Sequence, residues 1–545
     1  MKNRIPRLLL LFCFIFLAQL AHAQSGSAGS SYLIYSLLAV AVLVFFFIVI
    51  QVSDNLLAIE AKQSGINQAG NNLSIIPGIN DLVAPRLPAY TTGKDVKVLK
   101  RGHDILLEGE AVKQIDESVK ARTFAVQPMN FVGLSPIPKL EVEVGQNVKA
   151  GDIVFWDKKN PAVKFATAVS GEVIAVNRAA KRAVSEVVIL ADNDQKYREY
   201  PAFDLENGSR EELVSYLLDS GAWPLIRQRP FNVVADHNIT PKNIFISTFD
   251  SAPLAAESSF IIAGKEQAFQ KGLDVLNKLT NGTVHLGLDA RGENAPAKAF
   301  VDAEGVEVHY FKGKHPSGNV GVQIHHIDPI SSNDKVWTLG VQDVVTLGTL
   351  FAEGRFDGER IVALTGAQLK EPKYVRTYIG ANIGELLKHN ANEDNVRIVS
   401  GDVLSGKQKT TEQFLNIFDD QITVLEEGNY HEMFGWLIPI APRPTISNTF
   451  PNFLYPDYRF EADTNTHGEQ RAFVVTGQYE KVLPMDIYPQ HLMKAILVND
   501  FERMEGLGIY ELEEEDIALC EFVCTSKQPL QKILRQGLDL VREQG

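Results

Sequence analysis

One uncharged apolar run restricts the fold of this chain more than any other feature of its sequence. It spans nineteen residues from Tyr32 to Ile50 and reads "YLIYSLLAVAVLVFFFIVI". At a rise of about 1.5 Å per residue, a helix of this length nearly matches the ~30 Å hydrocarbon core of a bilayer. Its apolar character runs all round the helix, whereas an ordinary core helix is amphipathic. We therefore predict a transmembrane helix over residues 32–51.

A second apolar run, "LLLLFCFIFLAQL", precedes it, with three basic residues before the run and "AHA" after it. This is the pattern of a secretory signal, so residues 1–23 are either a cleaved signal or a first membrane helix. Either fate returns the chain to the cytoplasm after the second helix. We expect residues 52–95, which are polar and contain Gly, Pro and Asn, to form a linker.

The overall charge and the cysteine count exclude two classes of protein. The net charge is −14, from 67 acidic and 53 basic residues. Nucleic-acid binding needs clustered Lys and Arg, so this acidic balance argues against it. The three cysteines are too few for a disulfide framework.

The hydrophobic periodicity changes several times along the rest of the chain. Short runs with alternating polarity predict antiparallel strands over 96–195. Strand and helix patterns alternate over 208–356, which indicates an α/β domain with parallel strands. A small unit of strands and one helix follows at 360–410, then a connecting β segment at 411–470. Helical patterns over 471–545 predict a C-terminal helical bundle.

Residues 142–177 resemble a biotinyl- or lipoyl-like barrel-sandwich hybrid. A valine-rich strand is followed by G-x-x-V-x-x-G-D and then A-x-S-G-x-V, with glycines where tight turns need them. In a carrier domain a modified lysine would stand where this chain has Pro161, and Lys158, Lys159 and Lys164 are displaced from that place. A scaffold is therefore favoured over a carrier. A membrane-anchored adaptor is the other alternative, but adaptors interrupt this domain with a long heptad hairpin.

From about residue 97 onward the chain resembles the A subunit of the sodium-translocating NADH:quinone reductase, a bacterial membrane complex. The matching stretches are long and in order, and include "FWDKKNPAVKFATAVSGEVIAVNRAAKR", "KHPSGNVGVQIHHIDPI", "VWTLGVQDVVTLG" and "ERMEGLGIYELEEEDIALCEFVC". The resemblance implies a complex that reduces quinone with NADH and exports sodium to the periplasm. It implies five partner subunits, chiefly the membrane-embedded B subunit, with FAD, FMN and 2Fe-2S centres on other chains. The family's usual member lacks the N-terminal membrane segments found here.

The family is related in turn to the flavin- and NADH-binding subunit of respiratory complex I. This relation implies a multi-domain α+β protein with a Rossmann-like α/β domain, a β-grasp-like (SLBB) domain and a C-terminal helical bundle. The relative binds FMN with a glycine-rich loop whose backbone N–H groups approach the phosphate. At that place this chain keeps only Gly221 and Ala222, followed by Trp223 and Pro224. We expect no flavin, and no other cofactor, on this chain.

Two cysteines, Cys520 and Cys524, lie one helical turn apart in "ALCEFVC". The complex I relative ligates a 4Fe–4S cluster through four cysteines in its helical part. Two thiols cannot complete a four-ligand site, and the spacing of His467 and His491 fits no zinc pattern. We interpret the pair as vestigial buried thiols and expect no metal site.

Two loops are candidates for contact with quinone, "PMNFVGLSPIP" and "RQRPF". A quinone site needs apolar and aromatic walls with a few hydrogen-bond donors. The candidate residues are Met129, Phe131, Arg227, Arg229 and Phe231. The same loops would equally serve to dock another protein of the complex, so both interpretations stay open.

Two further polar clusters have structural explanations. The alternation in "VQIHHIDPI" predicts a strand, which would point His325 and His326 to opposite faces and prevent them from sharing one metal ion. The acidic run from Glu511 to Asp516 suits the first turn of a helix, where the macrodipole favours negative charge.

Overall fold

The computed structural model of the protein describes residues 87–392, 394–435, 442–447 and 450–544, with short pieces between 41 and 53. The chain divides into two compact units, Met1–Leu87 and Pro88–Gly545.

In the first unit, the described residues between 41 and 53 are helical. The predicted signal-like segment at 1–23 lies outside the described residues, as does most of the predicted span at 32–51. Within the part of the chain that is described, no helix has both the length and the apolar character needed to cross a membrane.

The second unit begins with two strands that join sheets formed later in the chain, β1 (Val96–Val98) and β2 (Val112–Asp116). A barrel-sandwich of two small antiparallel sheets follows, with orders β3-β9-β8-β5 and β4-β6-β7. Its strands are β3 (Thr123–Val126), β4 (Lys139–Leu140), β5 (Asn147–Val148), β6 (Ile153–Trp156), β7 (Lys164–Ala166), β8 (Gly171–Arg178) and β9 (Val184–Ala191). In β8, buried Val173 alternates with exposed Ile174, as the period of two predicts.

The α/β domain is built on a seven-stranded sheet in the order β1-β14-β13-β12-β15-β10-β11. Strands β12 to β15 pair in parallel, whereas β10 is antiparallel to both of its neighbours. The elements are α1 (Arg210–Asp219), β10 (Arg227–Arg229), β11 (Val233–Val234), β12 (Ile244–Ser247), α2 (Ser258–Ile261), α3 (Glu266–Leu279), β13 (Val284–Asp289), α4 (Lys298–Val301), β14 (Glu307–Lys312), α5 (Val320–Ile327), β15 (Val336–Thr338) and α6 (Val341–Glu353). The amphipathic patterns of α1 and α3 and the buried run of β12 are confirmed.

A six-stranded sheet in the order β19-β18-β20-β16-β17-β2 forms the next domain. Its later elements are β16 (Glu359–Thr365), β17 (Lys373–Tyr378), α7 (Ile383–Leu387), β18 (Val396–Ser400), β19 (Lys407–Lys409) and β20 (Gln421–Glu426). We expected a connecting β segment over 411–470, but its one named strand, β20, pairs inside this sheet between β18 and β16. Between β20 and residue 470 the described residues form isolated bridges and a 3-10 turn, Pro451–Leu454.

The C-terminal domain is helical, as predicted, and consists of α8 (Tyr479–Val482), α9 (Pro489–Leu497), α10 (Phe501–Gly506), α11 (Glu514–Phe522) and α12 (Leu530–Gln544). The acidic run does supply the first turn of a helix, because Glu514, Glu515 and Asp516 open α11. The apolar faces of these helices pack into one core with Leu99, Phe311 and other buried residues from the sheets.

The strand predicted around His325 and His326 is wrong, because these residues lie in α5. The apolar residues of this segment alternate as in a strand, but Val320, Ile324 and Ile327 also have the spacing of one face of a helix. The two histidines lie in the last turn of the helix and join it to the C-terminal domain. His325 bonds Glu511 through Nδ1 at 2.6 Å and accepts from the Asp486 N–H at 3.0 Å. His326 Nε2 donates to the Pro484 carbonyl at 2.7 Å.

Helices α3 and α6 pack so closely that glycines are required between them. A methyl group on Gly348 would overlap the Ala268 carbonyl oxygen, and one on Gly272 would overlap the Val344 carbonyl oxygen. Backbone atoms cannot yield in the way that a flexible side chain can, so this contact fixes how α3 and α6 cover the sheet.

We therefore expect Gly348→Ala to destabilise the protein by about 1–3 kcal/mol, since it overpacks this contact. Gly506→Ala is the matched control, because no atom lies within 4 Å of its added methyl group. Because alanine favours a helix over glycine, that control substitution in helix α10 should raise the free energy of unfolding by up to about 1 kcal/mol. Thermal unfolding followed by circular dichroism compares the two, and equal midpoints would contradict the close contact.

Candidate functional site

The two loops singled out in the sequence meet in the folded protein. Val132 of the first loop forms a parallel bridge with Val233, which lies two residues beyond the second loop motif. The first loop belongs to the barrel-sandwich, and the second motif comprises strand β10 and the start of the turn to β11 at the edge of the seven-stranded sheet. The fold thus brings together two segments that are about a hundred residues apart in sequence.

A cleft of about 200 Å³ lies where these segments meet. Its lining combines apolar and polar side chains, and the last helix contributes Arg542. The lining residues are Val132, Gly133, Leu134, Asp157, Asn160, Val163, Val233, Val234, Ala235, Asp236 and Arg542. Typical ligand pockets measure about 300–1,000 Å³, so this cleft suits a single ring rather than a whole extended ligand.

Arg542 is the cation of this cleft, and no local pattern in the sequence pointed to it. It stands in the last turn of α12, and its Nη2 is 3.6 Å from Asp539 Oδ1. Gly133 makes room for it, because a methyl group there would overlap Arg542 Nη1. The φ of Gly133 is +82°, so glycine suits this position in conformation as well as in size.

Phe131 and Arg227 lie beside an internal aromatic cluster and do not line the cleft. The Phe131 ring packs edge-on against Phe165 at 4.6 Å and against Phe418 at 5.8 Å between ring centroids. The Arg227 guanidinium stands 4.7 Å from the centroid of Phe418, a cation–π contact. The adjoining cavity, which Phe131 lines, has a volume of about 30 Å³. That is room for one or two water molecules, not for a quinone ring.

Arg229 is buried in an ion pair with the C-terminal domain. Its Nη1 lies 3.0 Å from Asp516 Oδ2 and its Nη2 lies 2.6 Å from Glu515 Oε1. The side chains of Arg229 and Asp516 are 3% and 0% exposed. Burial raises the pKa of Asp516 to about 6, although the guanidinium acts in the opposite direction. Arg229 therefore acts as a structural cation in this arrangement.

Phe231 and Met129 occupy two further environments. Phe231 has a φ of +85° and meets the Tyr510 ring edge-on, with 6.0 Å between the centroids. Met129 is 61% exposed. None of the five predicted residues lines the cleft, but residues 132–134 and 233–236, which come shortly after the two loop motifs, supply much of its lining.

The segment that the sequence resemblance aligns with a flavin loop is filled by its own side chains. Trp223 is fully buried, donates from Nε1 to the Ala235 carbonyl at 2.7 Å, and packs edge-on against Trp337. Gly221 has a φ of +69°, and a methyl group there would lie 2.7 Å from Ala166 Cβ. This glycine therefore allows the loop to approach the barrel-sandwich closely.

Cys520 and Cys524 are both buried in the C-terminal domain. Cys524 Sγ is 2.8 Å from the Tyr479 hydroxyl and accepts from the Gln528 N–H at 3.4 Å. Burial raises the pKa of the Cys520 thiol, which keeps it protonated at neutral pH. Within the described residues, neither thiol belongs to a group of three or more side chains arranged to hold a metal ion.

We expect Arg229→Met to destabilise the protein by about 3–5 kcal/mol, because it leaves Asp516 buried without its partner. The raised pKa of Asp516 sets the pH dependence. The stabilising contribution of Asp516 to the free energy of unfolding is fully present at pH values below its ordinary pKa of 3.8. This contribution is lost as the pH rises through about 6, where the buried carboxyl ionises. The guanidinium limits that loss, so the variant should lose more stability at pH 8 than at pH 5.

Lys242→Met is the control, since the Lys242–Asp328 pair is partly exposed and such pairs contribute about 1 kcal/mol or less. Thermal unfolding at pH 5 and pH 8 measures both variants. An Arg229→Met effect no larger than the control at pH 8 would show that the buried pair does not hold the two domains together.

Comparison with known protein families gives matches to three parts of the chain. The matching family models are described as the NqrA N-terminal barrel-sandwich hybrid domain (residues 97–192), the NqrA second alpha/beta domain (208–356) and the NQRA C-terminal domain of SLBB type (361–411). Among solved structures, the chain aligns with an NAD+-reducing [NiFe]-hydrogenase at 12% identity and a TM-score of 0.32, over 62% of this chain and 64% of that chain. At that TM-score nothing follows about fold or function.

Several curated proteins match almost from end to end. The proteins named as the A subunit of the Na(+)-translocating NADH-quinone reductase from Alcanivorax borkumensis, Psychromonas ingrahamii and Saccharophagus degradans are 39%, 37% and 37% identical to this chain. Each alignment covers 82% of this chain and 99% of the relative. The chain therefore belongs to the A-subunit family of the Na(+)-translocating NADH-quinone reductase.

Proposed function

We propose that this chain is the A subunit of a complex that reduces quinone to quinol with NADH and couples the reaction to sodium export from cytoplasm to periplasm. The observation that carries the proposal is the 39% identity over 99% of a relative bearing that name. An adaptor or a carrier built on the barrel-sandwich is not favoured. One of the lysines near the carrier position, Lys164, is paired with Asp219 of helix α1 at 2.6 Å.

In this proposal the chain holds no flavin and no iron–sulfur centre of its own. FAD, FMN and 2Fe-2S would reside on other subunits, and electrons would reach the quinone through them. Two observations support this assignment. Trp223 and Pro224 occupy the phosphate-loop position, and both cysteines are buried, with a hydrogen-bonding Tyr479 beside them. The cysteine pair would then be a packing feature.

The cleft is the part of the chain best suited to a quinone head group. Apolar side chains from Val132, Leu134, Val163 and Val233 supply the walls, and Arg542 supplies a donor for a carbonyl oxygen. A cation next to the oxygen would also stabilise the negative charge that develops as the quinone takes up electrons. The residues predicted from the loops then hold the walls in place from outside, and they are Met129, Phe131, Arg227, Arg229 and Phe231.

The remaining surfaces suit assembly with membrane partners. Exposed apolar side chains occur on the C-terminal domain at Tyr488, Leu497 and Val498. Such a surface suits protein docking, with the membrane-embedded B subunit and four further subunits as the expected partners. The helix predicted over 32–51 would anchor the chain in the inner membrane, with the main body in the cytoplasm. Anchoring raises the effective concentration for docking without a new interface.

The test of this function is purification of the tagged chain from native membranes in mild detergent. A separate portion of the membranes, not used for purification, should be washed with alkaline carbonate, which removes peripheral proteins and should leave an anchored chain behind. We expect five other subunits to co-purify with sodium-stimulated NADH:quinone reductase activity. Isolation of the chain alone, or iron and flavin bound to the separated chain, would contradict the proposal.

The quinone cleft has its own test in two variants. Arg542→Gln removes the guanidinium cation and leaves a shorter, uncharged side chain, and Val233→Phe fills the cleft. We expect either change to lower quinone reduction by the complex about tenfold, the equivalent of one charged hydrogen bond or one blocked ring site. NADH oxidation with an artificial electron acceptor, which takes electrons before the quinone step, should stay unchanged.

Matched controls are Arg503→Gln and Val112→Phe, at side chains that are 75% and 64% exposed. Both should leave quinone reduction at the parental rate. If the cleft variants were as active as the controls, the quinone would bind somewhere other than this cleft. Membership of the complex would still be tested independently by the co-purification.

A further inference from the structure

Three side chains at the amino end of two neighbouring strands form a compact set of nitrogen and oxygen donors. Residues His285 of β13 and Glu307 and His309 of β14 are brought together by the parallel register, which pairs His285 with Glu307 and Gly287 with His309. Register partners and residues two apart share one face of a sheet, so all three side chains emerge on the same side.

The distances between the donor atoms suit one small metal ion. His285 Nδ1 is 3.0 Å from His309 Nε2, and the Glu307 carboxylate oxygens are 3.8 Å from the former and 3.6 Å from the latter. In a tetrahedral zinc site with ligands at about 2.0–2.1 Å, neighbouring ligand atoms are about 3.3 Å apart. The two carboxylate distances run from different oxygens, Oε2 to His285 and Oε1 to His309, so a rotation of the exposed Glu307 side chain is needed to bring one oxygen close to both nitrogens.

The surroundings fix the two imidazoles and leave one side open. The His285 ring stacks on Phe245 of β12, with 4.7 Å between centroids and 21° between planes. The two histidines are each 6% exposed, whereas the Glu307 side chain is 60% exposed. The carboxylate thus stands at the entrance, where a water molecule would complete the coordination.

We propose that His285, Glu307 and His309 form a transition-metal site of the His₂–carboxylate type, for which Zn²⁺ is the best-suited ion. Imidazole and carboxylate donors in tetrahedral arrangement suit zinc. Within the described residues, this is the one group of three or more His, Cys, Asp or Glu side chains placed to hold a single metal ion. The site lies at the amino ends of the strands, whereas α/β sheets bind their substrates at the carboxyl ends. The role of this site is structural. It joins β13 to β14 and takes no part in electron transfer.

The test is a zinc titration of the full chain in competition with a chromogenic chelator. The chain is purified through an affinity tag that contains no histidine, and bound metal is removed before the titration. We expect one tightly bound Zn²⁺ per chain. His285→Gln and His309→Gln should abolish this binding, and Glu307→Gln should weaken it by about tenfold or more. His325→Gln and Glu304→Gln are the controls, a histidine and an exposed glutamate outside the group, and should bind as the parent does.

Co²⁺ substitution of the parental chain tests the geometry without relying on any variant. An intense visible spectrum, typical of tetrahedral cobalt, is expected. The proposal is overturned if the parental chain takes up no zinc, if folded His285→Gln and His309→Gln variants keep it, or if cobalt gives the weak spectrum of an octahedral site. In those cases the two histidines form a plain hydrogen-bonded pair between the strands.

Discussion

The buried guanidinium of Arg229 is the interaction on which the arrangement of the second unit depends. It sits in β10 of the large sheet and pairs with Asp516 and Glu515 at the start of α11. A buried charge without a partner is expensive, so sheet and helix must meet at this point. That contact fixes the loop leading to β11, and α12, packed on α11, then carries Arg542 to the cleft. One ion pair thus positions the two sides of the candidate site.

The barrel-sandwich is built into the body of the protein and is not a mobile appendage. One continuous core runs from Val154 and Phe165 of the barrel through Leu286 of the large sheet to Val362 of the next domain. Carrier domains deliver a modified lysine between distant sites and must move to do so. Here the same architecture shares its core with its neighbours, so it serves as a wall of the cleft and a support for the loops.

Local patterns in the sequence were sufficient to predict most elements but not the site. The period of two in β8 and the amphipathic pattern of α3 are local properties, and both elements formed where expected. Helix α5 was missed because its apolar residues fit both periods. The two candidate loops were found by their composition, and they do meet. Which side chains face the cleft depends on contacts between distant segments, and nothing in the sequence around Arg542 indicates such a contact.

The filled loop at Trp223 has a consequence for how this chain could change in evolution. The amides of Leu225 and Ile226 already bond the carbonyls of Ala222 and Trp223, and Pro224 has no N–H to offer. Replacing the indole alone would leave a hole in the core and still no free amide for a phosphate. Gaining a phosphate site at this loop would need several simultaneous substitutions, each unfavourable by itself. The loop is therefore held closed by its own hydrogen bonds and by the buried indole, so that no single substitution opens it to a phosphate.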